Sequence, residues 1–327
     1  MNLNKLQEII KKEPSYRIRQ IKKSVFQDLI EDWHEASVLP LVLRQKLNKK
    51  CALDINADIF SSEDSEKILI KLEDGLKIES VLMRHKDGRN TVCVSSQVGC
   101  PLKCSFCATG RMGFKRNLDY WEILEQVLFF SRYLKKEKKK ITNIVFMGMG
   151  EPFLNYENVL QTIKILNDKE GFNLGARRFS ISTVGIVEGI KELQEESLEI
   201  NLAVSLHSPN NNLRSEIMPV NKKYPIEKIL KAVDEYVKKT RRRVMIEYIM
   251  IKNVNDSDEC AKDLAKLIKR PLYFVNLISY NPTGIFEPSL PARIKRFKEI
   301  LEKSGITVTQ RYRFGGKSKA SCGQLAT

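Results

Sequence analysis

Cys100-Pro101-Leu102-Lys103-Cys104-Ser105-Phe106-Cys107 sets three thiols in the spacing C-x3-C-x2-C. Three thiolates with no fourth make an unfinished metal site. A [4Fe-4S] cube has four irons, so three cysteine ligands leave one iron open to a ligand that is not protein. S-adenosylmethionine can chelate that iron. An electron delivered through the cube then breaks the sulfonium bond and gives a 5′-deoxyadenosyl radical, chemistry that belongs to the cofactor and that a protein only positions. The competing reading is a structural zinc knuckle. Structural zinc is four-coordinate and closed, and it draws on paired C-x2-C or Cys/His sets that this stretch does not supply. Gly99, Pro101 and Gly110 suit a loop that must wrap closely round an inorganic group.

Working outward, the loop follows an apolar run, Thr91 to Ser96, which reads as a strand. Five more such runs follow, near Thr142 to Gly148, Arg178 to Thr183, Ile200 to Leu206, Val244 to Ile251 and Leu272 to Ile278. Amphipathic helices are predicted between and after them, beginning near Asp119, Asn155, Gly185, Pro225, Asp256 and Leu290. The first carries Glu122 three residues after Asp119, a capping-box spacing. Six βα units in series imply parallel strands joined by crossover helices, an α/β fold closing only partly into a (β/α)6 barrel where eight units would close completely. Sites in such folds lie at the C-terminal ends of the strands, where the thiol loop begins.

Ahead of the barrel, Tyr16, Ile18, Ile21, Val25, Phe26, Leu29 and Trp33 recur at the spacing of one helix face, with Lys and Arg between them. Residues 1–60 thus read as a small basic helical domain. The polar stretch Ser61-Ser-Glu-Asp-Ser-Glu66 reads as a linker. Ile68, Ile70, Leu72 and Ile78 then mark a hairpin turning at Asp74-Gly75, so that 61–90 is a connecting β segment, 91–310 the barrel and 311–327 a tail.

The 327 residues carry a net charge of +16 with a pI near 9.4. A surplus of that size, gathered at Lys11 to Lys23, Lys135 to Lys140 and Lys238 to Arg243, points to a polyanion, and nucleic acid is the commonest one inside cells. No apolar run approaches the roughly 18 residues of a membrane span. The polar start, Met1 to Gln7, is unlike a signal peptide, so a cytoplasmic location is expected. Seven cysteines in such a chain suggest metal or redox chemistry before disulfides.

The remaining strand ends carry polar residues. Gly148-Met-Gly150-Glu151-Pro152 follows the second strand, where glycines admit a ligand to the backbone and Glu151 can accept from an ammonium group. Ser182 and Thr183 follow the third, Ser205, Leu206 and His207 the fourth, and Asn281 the sixth. Singly each is an ordinary loop residue; together on one barrel face they outline a site.

From about residue 12 to the C-terminus the chain resembles the radical-SAM RNA adenine methyltransferases of the RlmN and Cfr family. The resemblance is carried by Cys93-Val-Ser-Ser-Gln-Val-Gly-Cys100, Phe106-Cys107-Ala-Thr-Gly110, Gly113-Phe-Lys-Arg-Asn117, Gly148-Met-Gly-Glu-Pro152, Ser182-Thr183, Ser205-Leu-His207 and Ala320-Ser-Cys322-Gly-Gln-Leu325. It implies a partial (β/α)6 radical-SAM barrel with a helical N-terminal domain. It implies that Cys100, Cys104 and Cys107 hold one [4Fe-4S] cluster, and that Gly150, Glu151, Ser182, Ser205, Leu206, His207 and Asn281 contact S-adenosylmethionine, two molecules of which serve each turnover. It also gives meaning to two isolated cysteines.

On their own, Cys93 reads as a small residue packed in a strand, and Cys51 and Cys260 as inert thiols. The resemblance implies that Cys322 carries a methyl group and that Cys93 resolves the covalent enzyme–RNA adduct through a transient disulfide, with Glu79 as proton acceptor. The stretch from Glu79 to Cys93 is one residue longer than in the relative compared. Such a route suits a ring carbon that is a poor nucleophile, because a carbon radical adds without needing an electron pair. The implied partners are large-subunit (23S-type) ribosomal RNA, with transfer RNA beside the anticodon as a further candidate, and an electron donor such as flavodoxin or ferredoxin. The implied state is a monomer. Glu151-Pro152-Phe-Leu-Asn155 resembles the carbon-2 branch, and carbon-8 methylation of the Cfr type is the alternative. The family commonly has an acidic segment before the terminal cysteine, whereas Gly315 to Ser321 is basic here. A radical-SAM enzyme acting on a peptide or metabolite would share the loop but not the Cys93 and Cys322 pair. A non-catalytic RNA-binding protein with a structural metal would share the charge but not the strand-end set.

Overall fold

The computed structural model describes residues 3–11, 13–311, 314 and 321–326. The N-terminal region folds as α1 (Leu3–Ile10), α2 (Ser15–Phe26) and α3 (Leu41–Lys50). The apolar face expected to run on to Trp33 stops at Phe26. Leu29 takes a left-handed φ of 53°, which an α-helix cannot accommodate. Trp33 instead opens a short 3-10 turn, fully buried, its Nε1 donating to the Cys51 carbonyl at 2.7 Å. Lys22 Nζ lies 2.8 Å from Asp168 Oδ2, and Gln27 donates to the carbonyls of Glu170 and Gly171, tying these helices to the barrel's outer surface.

Ser61 to Glu66 is not a linker. It closes a hairpin between β1 (Ala57–Ser61) and β2 (Ser65–Lys71), with Ser61 opposite Glu66 and Ser62 N donating to Ser65 O at 2.8 Å. The reason is local: the Ser and Asp residues that fill linkers also satisfy a tight turn through their own side chains. The expected turn at Asp74-Gly75 joins β2 to β3 (Lys77–Arg84), which runs antiparallel to β4 (Asn90–Val94) with Val81 opposite Cys93.

All five residues of β4 are buried, as expected for a strand covered on both faces. After it come β5 (Gln97–Gly99), α4 (Ala108–Arg111), β6 (Phe114–Asn117), α5 (Tyr120–Lys136), β7 (Asn143–Phe146), α6 (Tyr156–Asn167), β8 (Phe179–Thr183), α7 (Val187–Leu193) and β9 (Asn201–Ser205). The rest is α8 (Asn211–Ile217), α9 (Ile226–Thr240), β10 (Val244–Met250), α10 (Asp258–Ile268), β11 (Tyr273–Ser279), α11 (Pro291–Lys303) and β12 (Val308–Gln310). One ten-stranded sheet runs in the order β1-β2-β3-β4-β7-β8-β9-β10-β11-β12, antiparallel up to β4 and parallel beyond it.

The six strands read from the sequence are β4, β7, β8, β9, β10 and β11, and they form the parallel, partly closed barrel expected. The short seventh parallel strand, β12, and the small β5–β6 sheet have too few residues to show a period. The Asp119 signal holds: Glu122 reaches back to accept from Asp119 N at 2.9 Å and also grips Arg116 in a bidentate pair.

Because β4 and β7 to β12 all run the same way, the loops after these strands gather at one mouth and the loops before them at the opposite end. Lys135 to Lys140 and Lys238 to Arg243 both span the C-terminal end of a helix, α5 or α9, and the connection to the next strand. Their charge therefore sits away from the mouth. Among the described residues, no helix is long and apolar enough to cross a membrane.

Candidate active site

The thiol loop is fixed by backbone contacts on both sides. Gly99 has φ of 74°, and a Cβ there would lie 1.8 Å from the Gly113 carbonyl that accepts from Cys100 N at 3.0 Å, so only glycine fits. Cys107 N donates to Cys104 O at 3.1 Å, Ser105 N to Ile217 O at 3.0 Å, and Ala108 N to Gly323 O at 2.8 Å. Cys104 is buried; Cys100 and Cys107 are partly so. Burial pushes the Cys100 thiol up to about 12 and the Cys104 thiol well above its ordinary value, and in both the neighbouring loop cysteines add to the rise. Ionising them together requires a compensating cation. Three soft thiols on one loop, each raising its neighbours, fit the ligands of an iron-sulfur cube.

Beyond the loop, the mouth opens into a pocket lined by Cys93, Cys107, Gly150, Glu151, Ser182, Ser205, His207, Glu247, Arg311 and Cys322, among others. Gly150 takes φ of 101°, and a Cβ would fall 2.6 Å from that of Gln97, whose Oε1 accepts from Glu151 N. Glu151 is buried with Oε1 accepting from Phe153 N (3.1 Å) and Oε2 from Val184 N (2.9 Å); desolvation outweighs those bonds and pushes its carboxyl up to about 7. His207 sits at φ of 60° with Nδ1 accepting from Ile249 N at 3.2 Å. Burial, then the charge of Arg214, lowers its imidazole to about 3 and keeps it neutral. Leu206 N and His207 N both donate to the Glu247 carbonyl.

The hydroxyls of Ser182 and Ser205 lie 3.3 Å apart, and both bond Glu247 Oε2, at 2.5 and 3.2 Å. Asn281 Nδ2 donates to Cys322 O at 3.1 Å. Glu247 Oε1 and Asn281 Oδ1 are buried and, among the described residues, accept no hydrogen bond. Two unspent acceptors beside paired hydroxyls fit a ligand rich in hydroxyl and amino donors, as S-adenosylmethionine is.

Cys93 and Cys322, 229 residues apart in sequence, meet at this pocket. Burial pushes the Cys93 thiol up to about 12, and the next largest cause is the charge of Cys322. Burial also raises Cys322, opposed by Arg311. Cys51 and Cys260 lie elsewhere, in the N-terminal module and on α10. Glu79 sits on β3 two residues before Val81, hence on the face shared by Val81 and Cys93. Its Oε1 lies 2.7 Å from Lys67 Nζ and its Oε2 accepts from Ala326 N at 2.8 Å. The tail is seated by Thr109 Oγ1 donating to Leu325 O at 2.6 Å. The basic stretch from Gly315 lies outside the described residues except for Ser321.

The sequence reading did not single out Glu247 or Arg311, whose Nη1 is 3.8 Å from Glu247 Oε1. A glutamate inside the otherwise apolar Val244-Met-Ile-Glu-Tyr-Ile-Met250 was the available signal for the first. Arg311 follows β12, a strand too short to announce it.

The radical SAM superfamily profile matches residues 94–267, more than half of the chain. The chain is 48% identical over 317 residues to a probable dual-specificity RNA methyltransferase RlmN of Dictyoglomus turgidum, covering 96% of this chain and 91% of that one. It is 42% identical to the protein of the same description from Syntrophomonas wolfei, covering 99% and 95%. A crystal structure of a radical SAM methyltransferase from Sphaerobacter thermophilus superposes with a TM-score of 0.95 at 43% identity, over 99% of this chain and 97% of that one. With the thiol loop, the strand-end pocket and the cysteine pair in place, the chain belongs to the radical SAM superfamily and, within it, to the RlmN-type RNA methyltransferases.

Proposed function

We propose that the protein methylates carbon 2 of an adenosine in large-subunit ribosomal RNA, with transfer RNA as a second substrate, using Cys322 as methyl carrier, Cys93 as resolving thiol and Glu79 as proton acceptor. The observation that carries the reading is the convergence of Cys93, Cys322 and the Glu151–Ser182–Ser205–His207 set on one pocket at the mouth. Cys100, Cys104 and Cys107 would hold the cluster, which when bound supplies the electron that opens the sulfonium of S-adenosylmethionine. Glu79 would receive the ring proton of the adduct at Oε2 once Ala326 N leaves it, and the adduct's remaining unpaired electron is one that the cluster, when bound, would take back. Cys93 thiolate then attacks Cys322 Sγ, forming the disulfide, while the Sγ–carbon electron pair stays with the base and becomes its methyl on protonation. Mass spectrometry of the modified nucleoside tests the position: 2-methyladenosine is expected, and 8-methyladenosine would assign the other branch.

Glu151 gives the pocket a proton-linked affinity. In the free protein its carboxyl titrates near 7, above its ordinary 4.5, so neutral Glu151 is favoured when the pocket is empty. The sign follows: the folded protein gives up stability as pH rises from 4.5 through 7, on the order of 3 kcal/mol in all. A ligand ammonium reverses this by favouring the carboxylate. Binding of S-adenosylmethionine is therefore expected to release protons and to tighten up to about tenfold per pH unit below 7, levelling off above. Calorimetry at pH 6.5 in buffers of different ionisation heat measures the release. Glu151→Gln should abolish it, and proton release unchanged in that variant would remove Glu151 from the role.

RNA must reach the mouth, where Lys103, Arg111 and Lys115 are exposed in the segment between β4 and α5. Phosphate neutralisation releases counterions, so RNA affinity should fall steeply with salt, and Lys103→Glu, Arg111→Glu and Lys115→Glu together should cut the log–log slope by about two to three units. Reversal of Arg241, Arg242 and Arg243, at the far end, should change it less. Filter binding across a salt series decides; equal effects of the two sets would contradict entry of RNA at the mouth.

A further inference from the structure

Arg214 on α8 is fully buried. Among the described residues its guanidinium bonds only neutral oxygens: Nε donates to Leu206 O (3.0 Å), Nη1 to Asn221 Oδ1 (2.8 Å) and Tyr224 O (3.2 Å), and Nη2 to Val184 O (2.6 Å) and Ser205 O (3.3 Å). These contacts include no carboxylate. A buried cation with no anion costs several kcal/mol, so its partner should be sought among groups that become anionic in the working protein. The thiolates of the loop that α8 packs against are such groups.

The packing explains why. Ile217, three residues along α8, accepts from Ser105 N at 3.0 Å through its carbonyl, and Ile217 and Met218 share an apolar cluster with Cys104 and Phe106. Helix α8 is thus clamped to the back of the thiol loop between its second and third cysteines. The cluster that α8 and the loop share is apolar, so little screens charge across it.

We propose that Arg214 is the fixed counter-charge of the thiol loop, a positioning residue whose buried positive charge offsets the ligating thiolates and raises the reduction potential of the cluster they hold. The inference rests on the cluster reading above. Adding an electron makes the loop and its cube more negative, and a nearby positive charge favours that form. Removing the charge must therefore make reduction harder.

The test is an anaerobic redox titration of the reconstituted protein followed by electron paramagnetic resonance, after iron and sulfide have been counted. Arg214→Gln, which keeps part of the hydrogen bonding but not the charge, should lower the reduced-to-oxidised ratio at a fixed potential about tenfold, a shift of about 59 mV for one electron. Arg214→Lys keeps the charge and should titrate near the wild type, although both variants should unfold at lower temperature. Asn221→Asp leaves the arginine in place and sets a carboxylate against Nη1, so it should lower the ratio as Gln does, and it serves should Arg214→Gln not fold. A wild-type midpoint in both Arg214→Gln and Asn221→Asp would overturn the proposal, as would a Lys variant shifted as far as Gln. Wild-type protein that assembles no four-iron cluster would instead overturn the underlying reading.

Discussion

Cys104→Ala protein reconstituted with iron and sulfide is expected to emerge without the brown chromophore, to retain less than roughly a tenth of the wild-type iron, and to release no 5′-deoxyadenosine; Cys100→Ala and Cys107→Ala should behave alike. The size of the effect follows from the donor count. Three thiols serve four irons with the fourth already given to another ligand, so none is redundant. Among the described residues no histidine or carboxylate joins the set, and Cys51 and Cys260 are remote. The fold should survive, since Cys→Ala at Cys104 removes one sulfur from a small apolar cluster that Phe106, Ile249 and Tyr280 still fill. Far-ultraviolet circular dichroism separates loss of the cluster from loss of structure. Full four-iron content in Cys104→Ala would sink the ligand assignment.

Cys93→Ala should stop the reaction late, and Cys322→Ala should stop it early. Without Cys322 there is no carrier, so neither methylated RNA nor a covalent complex is expected, although the cluster still assembles. Without Cys93, transfer to the base proceeds but the Sγ–carbon bond is never broken, so the protein should stay joined to its RNA through Cys322. A denaturing gel should show a slowed band in Cys93→Ala that nuclease trims back, and no such band in the Cys93→Ala/Cys322→Ala double variant. Turnover by Cys93→Ala at the wild-type rate with no attached RNA would reduce that cysteine to a packed strand residue. The burial that raises Cys93 to about 12 adds a signature. Because the thiolate is the nucleophile, resolution in the wild type should quicken about tenfold per pH unit between 7 and 9 if this step limits turnover.

The barrel was legible because its strands are continuous apolar runs separated by capped helices, a pattern that survives without any tertiary information. The N-terminal module was less so. Its face looked continuous through Trp33, and only the left-handed backbone at Leu29 reveals where the helix stops. Ser61 to Glu66 misled because a tight turn and a linker use the same residues. Within the site, the thiol spacing declared itself in eight residues, whereas Glu79, Cys93 and Cys322 acquire a shared location only through the β3–β4 register and a tail that returns across the mouth. Glu247 and Arg311 show the complementary limit. Each is an ordinary residue until the fold sets it between two serines and two cysteines. Charge was the least faithful guide, since two of the three basic runs fall at the end of the barrel opposite the mouth.

The most direct test of the central claim, that Cys322 carries carbon to adenine and Cys93 frees the product, is tandem mass spectrometry of the Cys93→Ala protein after incubation with substrate RNA and complete nuclease digestion. The account predicts one modified peptide, spanning Cys322 and bearing an adenosine joined to Sγ through a single carbon bound at ring carbon 2. An unmodified Cys322 peptide recovered alongside methylated RNA, or adenosine attached at any other residue, would contradict it.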